Sequence, residues 1–397
     1  MPIKGAVVLT TIFDPIVLES YFRNFETYGH LQDVRVFLIP DRKTPRSAFE
    51  RCASLNRRGF PVTSPLIEEQ ESFLTRIGLP PELIPHDSDN RRNVGFLMAL
   101  ESGADFVMSI DDDNYCQPGE DFFMKHAAVC QSTTKARIIE STTGWFNVCR
   151  LLKLDSPATT YARGFPYYAR HKEENLLATE GQVAIHMNAG LWLSNPDLDA
   201  ITWLVSPTQA VEFAGESVVL GTRTWSPVNT QNTALRREVI VGYYFVRMGY
   251  RLGGIPIDRY GDIFSGYFAQ ACMRHLGGAL RVGTPVVEHR RNSHSYMKDA
   301  FNEWACIMVF EDLLPWLTQE ARLSGSTYVE AYESLSHEIE DAVGHFSGPV
   351  WTESTRSYFH EVARCMRIWA KTCERLGVGP LDQVGPRNHV TWNSRSL

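Results

Sequence analysis

The first third of the chain alternates short apolar runs with longer amphipathic ones, and that alternation leaves few folds open. GAVVLTT (5–11), DVRVFLIPD (33–41) and FVMSI (106–110) read as buried strands. Between them lie helical patterns in IVLESYFRNF, RSAFERCASLNRRG (46–59), EEQESFLTRIG (68–78) and NVGFLMALESG (93–103). Strands alternating with helices predict an α/β fold, a mostly parallel sheet with helices on both faces. In such sheets ligands sit at the carboxyl ends of the strands. Thr10, Thr11, Asp41 and the run Asp111–Asp113 fall on that edge.

From 140 to 290 the pattern changes to short strand-like runs, turns and aromatics, as a pocket-shaping region would show. From Tyr296 to about Leu376 it turns helical again, which suits an appendage, a lid or an oligomer contact. The expected organisation is a catalytic unit over 1–315, split near 115 into two halves. A helical extension and a loosely attached tail follow over 316–397.

The bulk numbers exclude several classes. A net charge of −7 argues against a nucleic-acid binder. No stretch approaches the roughly 18–20 apolar residues of a membrane span, and the N-terminus reads as a strand rather than a signal peptide. The eight cysteines are scattered without a CxxC pair, which fits free thiols in a reducing cytoplasm.

Three adjacent aspartates after a buried strand repel one another and are costly to desolvate. Either water surrounds them as a helix-capping turn, or a cation sits there. Hard divalent cations take carboxylate oxygens and share their coordination with substrate phosphates. Asp111 and Asp113 share one face of an extended chain, with Asp112 on the other. His289 ends another apolar run, TPVVEH, where it is either structural or a further ligand; imidazole favours Mn²⁺ over Mg²⁺. Arg91 and Arg92, at a helix start, suit a diphosphate or a solvated basic turn. Asp41 can accept hydrogen bonds from a base or ribose, or close a turn.

These features resemble the GT-A fold of nucleotide-sugar glycosyltransferases, a Rossmann-type sheet. More closely, they resemble the plant reversibly glycosylated polypeptides, the UDP-arabinopyranose mutases. IDDDNY (110–115), RGFPYYAR (163–170), NAGLWLSNPDLDA (188–200) and IDRYGDIFSG (257–266) match that family's motifs in order. The resemblance covers roughly 5–315, implies a nucleotide-binding half over 1–115 and a sugar-binding half over 116–315, and leaves the helical part beyond about 320 looking like this chain's own. It implies that Asp111, Asp112 and Asp113 form the metal and nucleotide-sugar motif, with His289 as the family's histidine. It makes Arg163 the arginine reported as reversibly glycosylated, Arg170 a second arginine needed for activity, and Asp262 the retained acid of an RYDD motif. Departures are Gly261–Asp262 for the paired acids, Asp258 in place of glycine, Asn188–Ala189 near the sugar, TTIF, and IPDRK. They leave a GDP-sugar open beside a UDP-sugar.

The implied activity is a flavin-independent, metal-dependent mutase, an isomerase interconverting pyranose and furanose forms of a nucleotide sugar. No GxGxxG fingerprint follows the first strand, which disfavours a flavin. Arg163 then either carries the sugar transiently or only positions it, because a guanidinium holds its proton up to a pKa above about 12. Phe165, Tyr167, Tyr168 and Trp192 are candidate walls that exclude water, or core packing. Two other readings stand beside this one: a glycosyltransferase with a separate acceptor, and a self-glycosylating scaffold. The partly apolar C-terminal helices allow a homo-oligomer.

Overall fold

A computed structural model describes residues 2–292 and 295–378; the expected tail over 379–397 lies outside them. Strand β1 (Gly5–Thr11) is buried at every position but Thr10, as a strand covered on both sides must be. It pairs in parallel with β2 (Val34–Pro40) and β4 (Phe106–Ile110), and β2 pairs in parallel with β3 (Val62–Thr63). The resulting order β3-β2-β1-β4 is that of a Rossmann half-sheet.

Beyond β4 the sheet continues through Asn232–Arg236, Ile185–Ser194, Ala279–His289, Val218–Leu220, Thr134–Ser141 and Leu176–Val183. Asn232–Arg236 runs antiparallel to both its neighbours, whereas Ile185–Ser194 and Ala279–His289 are parallel. The fold is therefore α/β, with a Rossmann-type parallel half, a mixed half and a helical C-terminal part.

Helices α1 (Leu18–Tyr28), α2 (Arg46–Arg57), α3 (Ile67–Arg76) and α4 (Arg92–Glu101) follow the apolar spacing read from the sequence. Helix α4 is buried on nearly every face and packs on β1 and β2. Gly95 makes that approach possible: a Cβ there would lie 2.5 Å from Val8 Cγ1 and 3.0 Å from Ile39 Cγ1. The close seat aims the start of α4 at the strand ends.

The C-terminal helices are integral to the core. Helix Tyr296–Gln319 runs across the expected boundary at 315 and keeps Pro315 inside it. Helix Glu353–Arg375 buries Trp369, whose indole N–H donates to Ile240 O at 3.0 Å. Tyr358 donates to Arg247 O at 2.7 Å, and Arg237 to Leu376 O at 3.1 Å. These contacts and the shared apolar cluster tie the C-terminal helices to the rest of the fold. The eight cysteines are free, seven of them buried. Among the described residues no helix is long and apolar enough to cross a membrane.

Candidate functional site

The carboxyl ends of β1 and β4 open into a cavity of about 660 Å³. Eight aspartates and four arginines line it, together with His86 and His289, so its walls carry a net negative charge. Thr10, Arg92, Asp111, Asp112, Asp113, Arg163, Asp262 and His289, all expected from the sequence, meet there.

A turn closed by Asn114 N–H to Asp111 O (3.3 Å) folds the aspartate run back. Strand β5 (Asn114–Cys116) then pairs antiparallel with the end of Ala279–His289, setting His289 opposite Asn114. That register brings His289 Nε2 to 3.4 Å from Asp113 Oδ2. His289 Nδ1 lies 2.5 Å from Asn195 O, so it carries the proton there and Nε2 faces the carboxylate.

The three aspartates differ electrostatically. Burial works against ionisation of Asp113, but the hydrogen bond and charge of His289 hold its pKa below the usual carboxylate range. Burial would lower His289, yet its bond to Asp113 and that residue's charge raise it. Asp112 is pushed up to about 6, first by burial and then by Asp113 and Asp111, against the Thr11 hydroxyl that donates to it at 2.5 Å. Asp111 is raised chiefly by burial, although Arg92 Nη2 lies 2.5 Å from its Oδ1. Arg92 also donates to Ser109 Oγ (2.8 Å) and Ile110 O (2.6 Å), which pins it under the strand end.

Across the cavity Arg163 is clamped between two buried carboxylates. Nε and Nη2 donate to Asp197 at 3.0 and 3.1 Å; Nη1 and Nη2 donate to Asp262 at 3.0 and 2.9 Å. Nη1 also donates to Arg259 O, so all five N–H donors of the guanidinium are engaged. Burial alone would favour loss of its proton, but the charges of Asp197 and Asp262 hold its pKa far above arginine's ordinary value. Gly164 permits the clamp: it has φ +87°, and a Cβ there would lie 2.4 Å from Ile263 Cγ2, beside Asp262.

Asp197 escaped the sequence reading although it lies inside the quoted NPDLDA run. Nothing in that run distinguishes it from Asp199, which faces Arg170 instead. Asp89, Arg259 and Arg291 also line the cavity and were not anticipated, and Asp258, noted only as a departure from the family motif, lines it too.

Five expected site residues are corrected by placement, since none of them lines the cavity. Arg91 turns into the core, donating to Ile84 O (3.1 Å) and Gln70 Oε1, because consecutive helical residues point about 100° apart. Asn188 belongs to a buried network with His126 (2.9 Å), Thr284 O (3.1 Å) and Arg281 (2.7 Å), away from the cleft. Arg170 does not line the cavity; it pairs with Asp199 at 2.5 Å and stacks 3.7 Å over Tyr167. Trp192 is core, beside a void of about 10 Å³ that Arg163 and Asp197 also border. Asp41 stands behind the cleft wall, accepting from Arg42 N–H (2.8 Å) and Ser88 N–H (3.3 Å).

Among the described residues no three metal-type ligands converge as they would around a bound ion. The donor set nevertheless fits a hard or borderline divalent cation: an ionised Asp113, and a His289 whose Nε2 is turned inward by a carbonyl on Nδ1. Asp111 and Asp112, whose ionisation burial and mutual repulsion oppose, line the same wall.

Comparison with known proteins agrees with the motif resemblance. The family described as reversibly glycosylated polypeptide matches residues 74–378. UDP-arabinopyranose mutase 1 of Arabidopsis thaliana is 27% identical over 275 residues, covering 68% of this chain and 69% of that protein. UDP-arabinopyranose mutase 1 of Oryza sativa subsp. japonica is 26% identical, covering 68% of each. Among solved structures, glucosyl-3-phosphoglycerate synthase of Mycobacterium tuberculosis, in complex with phosphoglyceric acid, is 13% identical with a TM-score of 0.39. That match covers 78% of this chain and 79% of that one. The family match reaches residue 378, so the helices beyond 320 are a family feature, contrary to the expectation that they are peculiar to this chain. The chain belongs to the reversibly glycosylated polypeptide family.

Proposed function

We propose that this protein is an enzyme, a nucleotide-sugar mutase that interconverts pyranose and furanose forms of a sugar linked to a nucleoside diphosphate. The observation that carries the reading is the shared cleft. The Asp111–Asp113 edge with His289 lies on one wall, and the Asp197–Arg163–Asp262 clamp on another. Relatives named UDP-arabinopyranose mutases favour a uridine nucleotide; the departures at TTIF and IPDRK keep GDP-sugars in the panel.

Such a reaction breaks the bond from the anomeric carbon to the diphosphate, opens the ring, recloses it through another hydroxyl and restores the bond. A divalent cation, Mn²⁺ or Mg²⁺, held by Asp113 and His289 with Asp111 and Asp112, would supply charge stabilisation of the departing diphosphate. Arg92 fixes the orientation of Asp111. Arg163, with every donor engaged and its proton held, acts as a positioning charge rather than as the atom that takes the sugar. Asp262, which starts helix Gly261–His275 and lines the cleft, would exchange a sugar-hydroxyl proton. No flavin takes part. Free thiols suit a cytoplasmic setting, and exposed Met297, Phe301 and Trp304 suit a homo-oligomer.

The test is anion-exchange chromatography after incubation with Mn²⁺ and UDP- or GDP-linked pyranoses and furanoses. A new peak of identical mass, lost with chelator, is expected. Free nucleotide alone, or transfer to an added acceptor without an isomer, overturns the mutase reading. Stoichiometric glycosylation of Arg163 during turnover overturns its positioning role.

A further inference from the structure

Helix Gly261–His275 carries Asp262 in its first turn and Arg274 and His275 in its last, roughly 18 Å apart along the axis. The Arg274 end borders a second cavity, of about 540 Å³, formed with the 143–145 and 222–225 loops and residues 317–323. The two cavities share no lining residue and have opposite character. Arg223, Arg274, Arg322 and His275 line the second, and no aspartate or glutamate does. That is unexpected in a chain of net charge −7.

Arg274 is the deepest of these cations. Nη1 donates to Gly221 O at 2.8 Å and Nη2 to Thr224 O at 2.5 Å, while the guanidinium lies 4.5 Å over Trp225. Its Nε is enclosed without a hydrogen-bond partner among the described residues. Burial lowers its pKa to about 10, and Glu140 offsets this only in part. This half-buried guanidinium bonds neutral carbonyls and makes no ion pair within 4 Å among the described residues, Glu140 acting on it only from farther off, and an anion would supply the direct counter-charge. Arg223 and Arg322 are exposed at the same rim, and Arg322 is held there by Gln319 O (2.9 Å) and Ala321 O (3.1 Å). Trp145 and Trp225 add aromatic wall.

We propose that this cavity binds a small phosphorylated molecule, its phosphoryl group received by Arg274, Arg223 and Arg322 and its body lying beside Trp145 and Trp225. Each arginine fork can take two oxygens, and three converging arginines suit the three terminal oxygens and double charge of a phosphoryl group better than the two oxygens of a single carboxylate. The volume lies within the range of small-molecule sites. This site is independent of the nucleotide-sugar cleft.

The test is calorimetric titration of the full chain with inorganic phosphate, glucose 6-phosphate and, as a dicarboxylate control, succinate. Saturable binding of glucose 6-phosphate is expected, tighter than that of phosphate and much tighter than that of succinate. The double variant Arg223→Glu/Arg322→Glu alters only exposed side chains and should weaken it by about tenfold or more. Arg274→Lys keeps the charge but loses the fork, and should weaken it as well. The proposal is overturned by any of three results. One is no binding up to about 10 mM; another is binding unchanged in both variants, which places the ligand elsewhere. The third is succinate binding as tightly as the phosphates.

Discussion

Replacing Asp197 with asparagine tests the clamp on Arg163 most directly, because the change is isosteric. The carboxylate accepts three hydrogen bonds: Arg163 Nε at 3.0 Å, Arg163 Nη2 at 3.1 Å and Asn229 Nδ2 at 2.6 Å. Asparagine keeps one oxygen and turns an NH₂ group toward at least one of those donors. Each lost bond to a charged group costs about 1.5–3 kcal/mol. Asp262 still neutralises Arg163, so the roughly 3–5 kcal/mol of a fully broken buried pair is not incurred. The expected loss is about 2–4 kcal/mol, smaller than for Arg163→Ala, which strands two buried carboxylates.

Equilibrium urea unfolding measures it, as a lower midpoint with an unchanged slope. The pH dependence adds a second readout. Burial raises the Asp197 pKa, but Arg163 and Asn229 bring it below 3.8. A depressed carboxylate contributes stability that is present above its unfolded value and lost as pH falls through its folded value. The gap between wild type and variant should therefore narrow below about pH 3.8 and stay constant near neutrality. A loss under about 0.5 kcal/mol, or a gap that widens in acid, would refute the clamp.

Asp112→Asn should stabilise the metal-free protein at pH 7 by about 1–3 kcal/mol, because a carboxyl raised to about 6 from 3.8 costs stability as pH rises through that window; thermal unfolding against pH checks the sign. Asp113→Asn should weaken Mn²⁺ binding by about 100-fold or more in calorimetry, since even partners behind a ligand are worth about 10–100-fold. Arg170→Ala should cost about 3 kcal/mol in urea, leaving buried Asp199 without its cation, yet leave Mn²⁺ affinity unaltered.

The amino-acid sequence by itself determined β1, β2, β4 and the four helices among them, though not the short β3, together with the placement of Asp111–Asp113 on a ligand-binding edge and the three C-terminal helices. Those features follow from local periodicity and chain connectivity, which a linear string carries. Whether a polar side chain faces a cleft or the core depends on which neighbours pack against it. Arg91 and Arg92 are chemically identical and adjacent, yet one hydrogen-bonds inside the core and the other holds Asp111. Asp197 and Asp199 stand two residues apart and serve different arginines. Asn188 matched a sugar-site motif, but the pairing of Ile185–Ser194 between two other strands buries it. The tertiary structure alone joined Asp197, Arg163 and Asp262, because their meeting requires the 163–170 segment, the 195–199 turn and the start of helix Gly261–His275 to converge. Burial there stabilises a guanidinium only where two carboxylates arrive together, and no spacing in the chain encodes that encounter.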